Sequence, residues 1–248
     1  MKRFDPGHFY SGSKMIISHL IVALLLFGFP IWDFWEARQL RESAHPQVKI
    51  RSYLRIITGL WTVSLLVIWC VPLQQLFAAP VVRIPFLSHV PHEAVIGLMF
   101  PIILGILLPP ILALAHRGIR RRLLIPYEKM GYLLPNSPLE MALFSGVAIS
   151  AGVCEEIIYR GYLLRYLQAS PWGFPLGWSL LASSAVFGLA HLGQGVKGLL
   201  ATAFIGLILG GLYIGTGSLL FPILVHALID LRALFMALLR KLPTTAPA

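Results

Sequence analysis

The sequence predicts an all-α protein, a polytopic membrane helix bundle of about seven to eight transmembrane helices at about 20 apolar residues per span. Three observations carry this. Hydrophobic residues make up 57% of the 248 and charged residues only 12%, against about 25% charged in soluble domains, and mean hydropathy is +0.79. The apolar runs are long and unbroken, which excludes a transmembrane barrel, whose strands alternate apolar and polar positions. The net charge of +10 gathers in two stretches, residues 36–55 and 116–129. Beside apolar spans, such clusters are cytoplasmic anchors under the positive-inside rule, so the expected partner is a lipid bilayer and not nucleic acid.

The candidate spans, in order, are residues 15–32, 56–71, 94–115, 139–167, 178–191, 199–214 and 219–239. The first follows a basic start but is span-length with no small-residue cleavage site after it, so it reads as a helix and not as a removed signal peptide. The two basic stretches read as loops. The fourth segment is too long for one crossing, which predicts a break or a tilted second half near Gly161. Its start is marked by Asn136 or Ser137 as cap and Pro138 in the first turn. In the sixth, Gly206 and Gly210 form a small-xxx-small pair that lets helices approach closely in lipid. Seven spans place the basic stretches and the C-terminal end on one side and the N-terminus on the other, an uneasy fit with Lys2, Arg3 and Lys14. The expected organisation is one integral membrane domain: residues 1–138 as N-terminal helices and basic stretches, 139–240 as a helical core, and 241–248 as a short tail. Cys70 and Cys154 both lie in apolar runs, so no disulfide framework is expected.

Chemistry concentrates in the second half. From Met141 onward the only acids are Glu155, Glu156 and Asp230, and the only histidines are His191 and His226. Ionisable groups are expensive in hydrocarbon, and they usually face the bundle interior and pair with one another. In "CEEIIYRG", Glu156 and Arg160 are four apart and share a helix face, the favourable order for an ion pair. Glu155 points about 100° away and is left free to meet other groups. His226 and Asp230 are also four apart, so Asp230 can orient the imidazole. Phe187 sits one turn before His191 and can stack on it or wall the pocket. A buried carboxylate with imidazoles suits activation of water, and the remaining histidine with a polar partner suits an oxyanion. Glu155, His191 and His226 are also a zinc-type set, although no H-E-x-x-H signals it locally. Cys154 reads as a small buried hydrophobe more readily than as a thiol nucleophile.

The motifs "EEIIYR", "FGLAH" and "HALID", in that order on successive apolar segments, resemble the CAAX protease and bacteriocin-processing family of intramembrane endopeptidases, which includes the type II CAAX prenyl endopeptidases. The resemblance covers roughly residues 139–235. It implies that Glu155 and His191 activate the attacking water, and that His226 with Asp230 stabilises the oxyanion. It also implies that Glu156 and Arg160 are structural or orienting, and that the partner is a membrane-embedded or lipidated protein substrate. In the prenyl endopeptidases the last motif ends in Asn; Asp230 donates a hydrogen bond only when protonated. The resemblance leaves zinc open, with a metal-independent mechanism preferred; the general character of the sequence points to a bacterial inner membrane. Two other readings of the same residues stand beside the protease: a catalytically silent scaffold or immunity-type protein, and a proton-coupled transporter. The transporter reading lacks the two related halves such proteins show.

Overall fold

The apolar runs are helices in the computed structural model, which describes residues 13–43, 45–77, 97, 99–169 and 172–241. They are α1 (Lys14–Glu42), α2 (Pro46–Cys70), a short α3 (Leu73–Phe77), α4 (Met99–Ala115), α5 (Arg117–Lys129), α6 (Pro138–Gln168), α7 (Leu176–Leu189), α8 (Gly195–Thr216) and α9 (Leu220–Leu239). Among the described residues there is no strand. α1, α2, α6, α8 and α9 are long and apolar enough to cross a membrane, and α4 and α7 are shorter apolar helices. Their outer faces carry exposed Leu65, Trp69, Phe204 and Leu224, the surface of a protein solvated by lipid and not by water. The chain is an integral, multi-pass membrane protein. Lys2 and Arg3, the residues 94–96 and 98 of the third expected span, and residues 242–248 of the tail lie outside the described residues.

Two expectations about loops are corrected. Residues 36–55 are not a loop, because α1 runs on to Glu42 and α2 begins at Pro46, only four positions further on. His45 caps α2 by accepting from the Gln47 amide at 3.3 Å, and Pro46 fills the first helical position, where its missing N–H costs nothing. Residues 116–129 form the amphipathic α5. Its Ile119, Leu123, Leu124 and Tyr127 pack on Ala113, Met236 and Leu239, while Arg117, Arg121 and Arg122 stay exposed. In both stretches the density of charge hid a helical face.

α6 is central, packed between α2 and α9. Ser137 is its cap and accepts from the Glu140 amide at 3.2 Å, while the Glu140 carboxylate accepts from the Asn136 amide at 2.9 Å. The expected break near Gly161 is absent. Glu156–Leu163 is wound as a π-helix instead, and all eight residues are buried. A break there would free backbone groups where no water reaches them; π winding keeps them bonded, and Ser183 Oγ adds a bond to the Tyr159 carbonyl at 2.9 Å. Gly161 serves close packing: a Cβ on it would meet Leu219 at 3.2 Å and the Leu76 carbonyl at 3.3 Å. Gly152 brings α6 against α9, where a Cβ would lie 2.9 Å from the Ala227 amide nitrogen. Gly206 faces Phe187 and Ser184, and Gly210 faces Leu180, so the small-residue pair closes α8 onto α7.

Hydrogen bonds sort the helix ends. Tyr53 donates to the Leu133 carbonyl at 2.6 Å, Lys49 to Leu134 at 2.8 Å and Arg240 to Asn136 Oδ1 at 3.0 Å. The starts of α2 and α6 and the end of α9 thus share one face of the bundle. At the other face, Tyr162 donates to the Ser18 carbonyl at 2.9 Å, setting the start of α1 beside the end of α6. The first helix therefore begins, and the last one ends, on opposite faces of the bundle.

Candidate active site

The two glutamates of α6 straddle the point where α-helix gives way to π-helix: Glu155 ends the first and Glu156 begins the second. Adjacent helical positions point in different directions, and the two carboxylates have separate surroundings. Glu156 is fully buried, and its Oε1 accepts from Arg160 Nη1 at 2.7 Å. The same oxygen lies 2.7 Å from His226 Nδ1. Arg160 is finished by a bond from Nη2 to the Gly206 carbonyl at 3.1 Å and by the face of Phe187, 4.4 Å from its guanidinium carbon. The ion pair read from the i, i+4 spacing is present, and its carboxylate additionally orients a histidine of another helix.

His226 presents its other nitrogen, Nε2, 3.7 Å from Glu155 Oε2 and 3.7 Å from Asp230 Oδ2. A carboxylate oxygen only accepts, so Nδ1 carries the proton shared with Glu156. Asp230 is therefore not the group that fixes the imidazole, as the spacing had allowed; Glu156 does so, because it is at hydrogen-bond distance and Asp230 is not. Asp230 keeps a side chain 34% exposed. His191 lies just past the end of α7 and is tied back to it by Nδ1 and the Phe187 carbonyl, 2.9 Å apart. A carbonyl only accepts, so this bond leaves the Nε2 lone pair of a neutral His191 free to act as a base. The Phe187 ring stands edge-on to both imidazoles, with centroids 5.0 Å from His191 and 5.7 Å from His226.

These groups surround one cavity of about 260 Å³. Glu155, His191 and Asp230 line it, opposite an apolar wall that includes Trp32, Ile56 and Phe144. His226 stands behind Glu155 and Asp230. Glu155 is 14% exposed, and its Oε2 has no hydrogen-bond partner, which is unusual for a buried carboxylate oxygen. Tyr127, Leu133 and Leu134 also line the cavity, on the face where the basic helix ends collect, so it runs inward from that face. Burial pushes the Tyr127 phenol above its usual value, with Arg232 pulling the other way; it stays a hydroxyl at neutral pH.

All seven residues singled out in the second half thus lie in one cluster. Two acids of the first half join them unforeseen. Asp33 and Glu36 of α1 also line the cavity. Glu36 is satisfied by Arg55 at 2.6 and 2.9 Å, but Asp33 reaches the Gly193 amide at 2.5 Å. The signal was an acid inside "FPIWDFW", eight residues before Arg41 on the same helical face; ending the first span at Trp32 concealed it.

The zinc alternative needs three protein donors converging on one point. Among the described residues no group of three or more His, Cys, Asp or Glu side chains is disposed to share an ion, although His191 and His226 each keep Nε2 available with Nδ1 engaged, as ligating histidines do. Cys154 is fully buried and outside the cavity lining, so it has no route to a substrate.

Residues 137–232 match the family described as type II CAAX prenyl endopeptidase Rce1-like. That segment holds the whole cluster apart from the α1 acids, and over it the family resemblance read from the motifs is borne out. The matched family is one of proteases. No curated protein and no solved structure matches the chain.

Proposed function

We propose, on the premise that residues 137–232 are built as in that protease family, that this protein is an intramembrane endopeptidase acting on a membrane-embedded or lipidated protein. The observation that carries the reading is the single cavity on which Glu155, His191 and Asp230 converge, inside a bundle whose outer faces are apolar. A water held between the Glu155 carboxylate and His191 Nε2 loses a proton to them as its oxygen attacks the peptide carbonyl. His226, held by Glu156 behind Glu155 and Asp230, adds positive charge to that wall of the cavity when protonated, an effect that strengthens as charge develops on the oxyanion. Asp230 orders that charge from the cavity side, and itself donates only when protonated. The proton taken by the Glu155–His191 pair passes to the leaving amine.

The apolar wall suits the hydrocarbon part of such a substrate, and the cavity mouth on the basic face suits a scissile bond close to the cytoplasmic surface under the positive-inside rule. A bacterial plasma membrane is the setting this reading favours. No step in this reading is assigned to a metal. The test is cleavage of a farnesylated peptide and of detergent-solubilised membrane proteins by the purified chain. Loss of product in both Glu155→Ala and His191→Ala supports the reading; undiminished cleavage by both variants contradicts it.

A further inference from the structure

His191 lies just past the end of one helix and is followed at once by the tight turn Leu192–Gln194. A base at such a position keeps its aim only if the chain on both sides is fixed. On the α7 side the fixing is local: its amide donates to the Gly188 carbonyl at 3.0 Å, and its ring is tied to Phe187. On the other side the fixing comes from α1. Asp33, Ala37 and Arg41 follow one another every four residues and so share a helical face, and that face is fitted to Gly193. The Gly193 amide donates to Asp33 Oδ2 at 2.5 Å, and Arg41 Nη2 donates to the Gly193 carbonyl. Between them a Cβ on Gly193 would lie 2.6 Å from the Ala37 Cβ and 2.6 Å from the Asp33 carbonyl. Gly193 is not among the positive-φ glycines, so close approach to α1 is what requires glycine here. Arg41 is in turn braced by the Tyr132 hydroxyl at 2.9 Å.

We propose that Asp33 is a positioning residue for His191, acting through the Gly193 amide. It deepens the hydrolase reading and rests on it for its catalytic consequence. The brace belongs to a helix outside the matched segment 137–232, so the first helix completes a site that the second half does not hold by itself. A displacement of about 1 Å at a catalytic group can cost on the order of 100-fold in rate, which sets the scale of effect available to Asp33. Its role is that of an acceptor, so an amide oxygen at the same place serves equally well.

The experiment compares the full-length protein with Asp33→Ala and Asp33→Asn, measuring peptide cleavage and, separately, hydrogen–deuterium exchange over residues 190–197. Asp33→Ala is expected to lower kcat by about tenfold or more with KM nearly unchanged, and to speed exchange at the Gly193 amide. Asp33→Asn is expected to restore both. Full kcat in Asp33→Ala overturns the proposal, and so does an Asp33→Asn variant as slow as Asp33→Ala, which would make charge and not the hydrogen bond the active feature. If the wild-type protein cleaves nothing, the hydrolase reading fails on its own. The exchange measurement then still decides the placement: unchanged exchange in Asp33→Ala overturns it.

Discussion

Glu156 Oε1 and His226 Nδ1 stand 2.7 Å apart across two helices, and the same oxygen receives Arg160 Nη1 at 2.7 Å. One carboxylate thus joins an ion pair along α6 to an imidazole on α9, with almost no exposure at any of the three. Removing one member of a buried charged set costs about 3–5 kcal/mol, because its partners are left uncompensated. Glu156→Ala should lose stability of that order in equilibrium unfolding in detergent. Glu156→Gln, which keeps an acceptor oxygen, should lose less. Equal stability of wild type and Glu156→Ala would show that Arg160 and His226 find other partners.

At Gly152 α6 and α9 approach closely, with a Cβ there set to lie 2.9 Å from the Ala227 amide nitrogen. A larger residue must push Ala227 away, and overpacking of this kind costs about 1–3 kcal/mol. Gly152→Val is expected to lower the thermal midpoint and to reduce cleavage beyond that loss, since Glu155 and His226 then move apart. Cleavage retained at the wild-type rate below the midpoint would mean that their 3.7 Å spacing has no bearing on the reaction.

Asp230 separates two roles. If it orders the oxyanion side of the cavity, Asp230→Asn should retain cleavage within a few-fold, because an amide also donates, as in the prenyl endopeptidases that the last motif resembles. Asp230→Ala should fall by about 100-fold, the scale on which loss of an oxyanion donor is felt. Equal activity in all three proteins would remove Asp230 from the chemistry.

The helices were legible because a bilayer demands about 20 apolar residues per span, and Ser137–Pro138 announced the start of α6 by its cap. Glu156 and Arg160 were paired correctly from their spacing, since that contact is local. What escaped was tertiary. Nothing in residues 156–163 tells π winding from α, because the cause is enclosure by other helices. The bond from Glu156 to His226 joins residues 70 positions apart, beyond any periodicity. Asp33 was hidden by ending the first span at Trp32, when α1 continues with a polar face turned inward. In the basic stretches a high density of charge masks the apolar helical face, which in α5 packs on Ala113, Met236 and Leu239.

A metal-independent mechanism carries its own expectation. Incubation with a strong chelator followed by desalting should leave cleavage unchanged, with no stoichiometric zinc in the purified protein by elemental analysis. Loss of activity that zinc alone restores would give Glu155 and His191 ligand roles in place of the water-activating ones.

In the proposed reaction Glu155 activates the water that cuts a peptide bond. The most direct measurement of this role is kcat/KM for a lipidated peptide with wild type and Glu155→Gln, in protein shown to be folded by its thermal midpoint. Because Gln cannot take a proton, the account predicts a fall of at least about 100-fold, the range of general-base catalysis, with the midpoint held or raised. A Glu155→Gln protein that cleaves at the wild-type rate would contradict it.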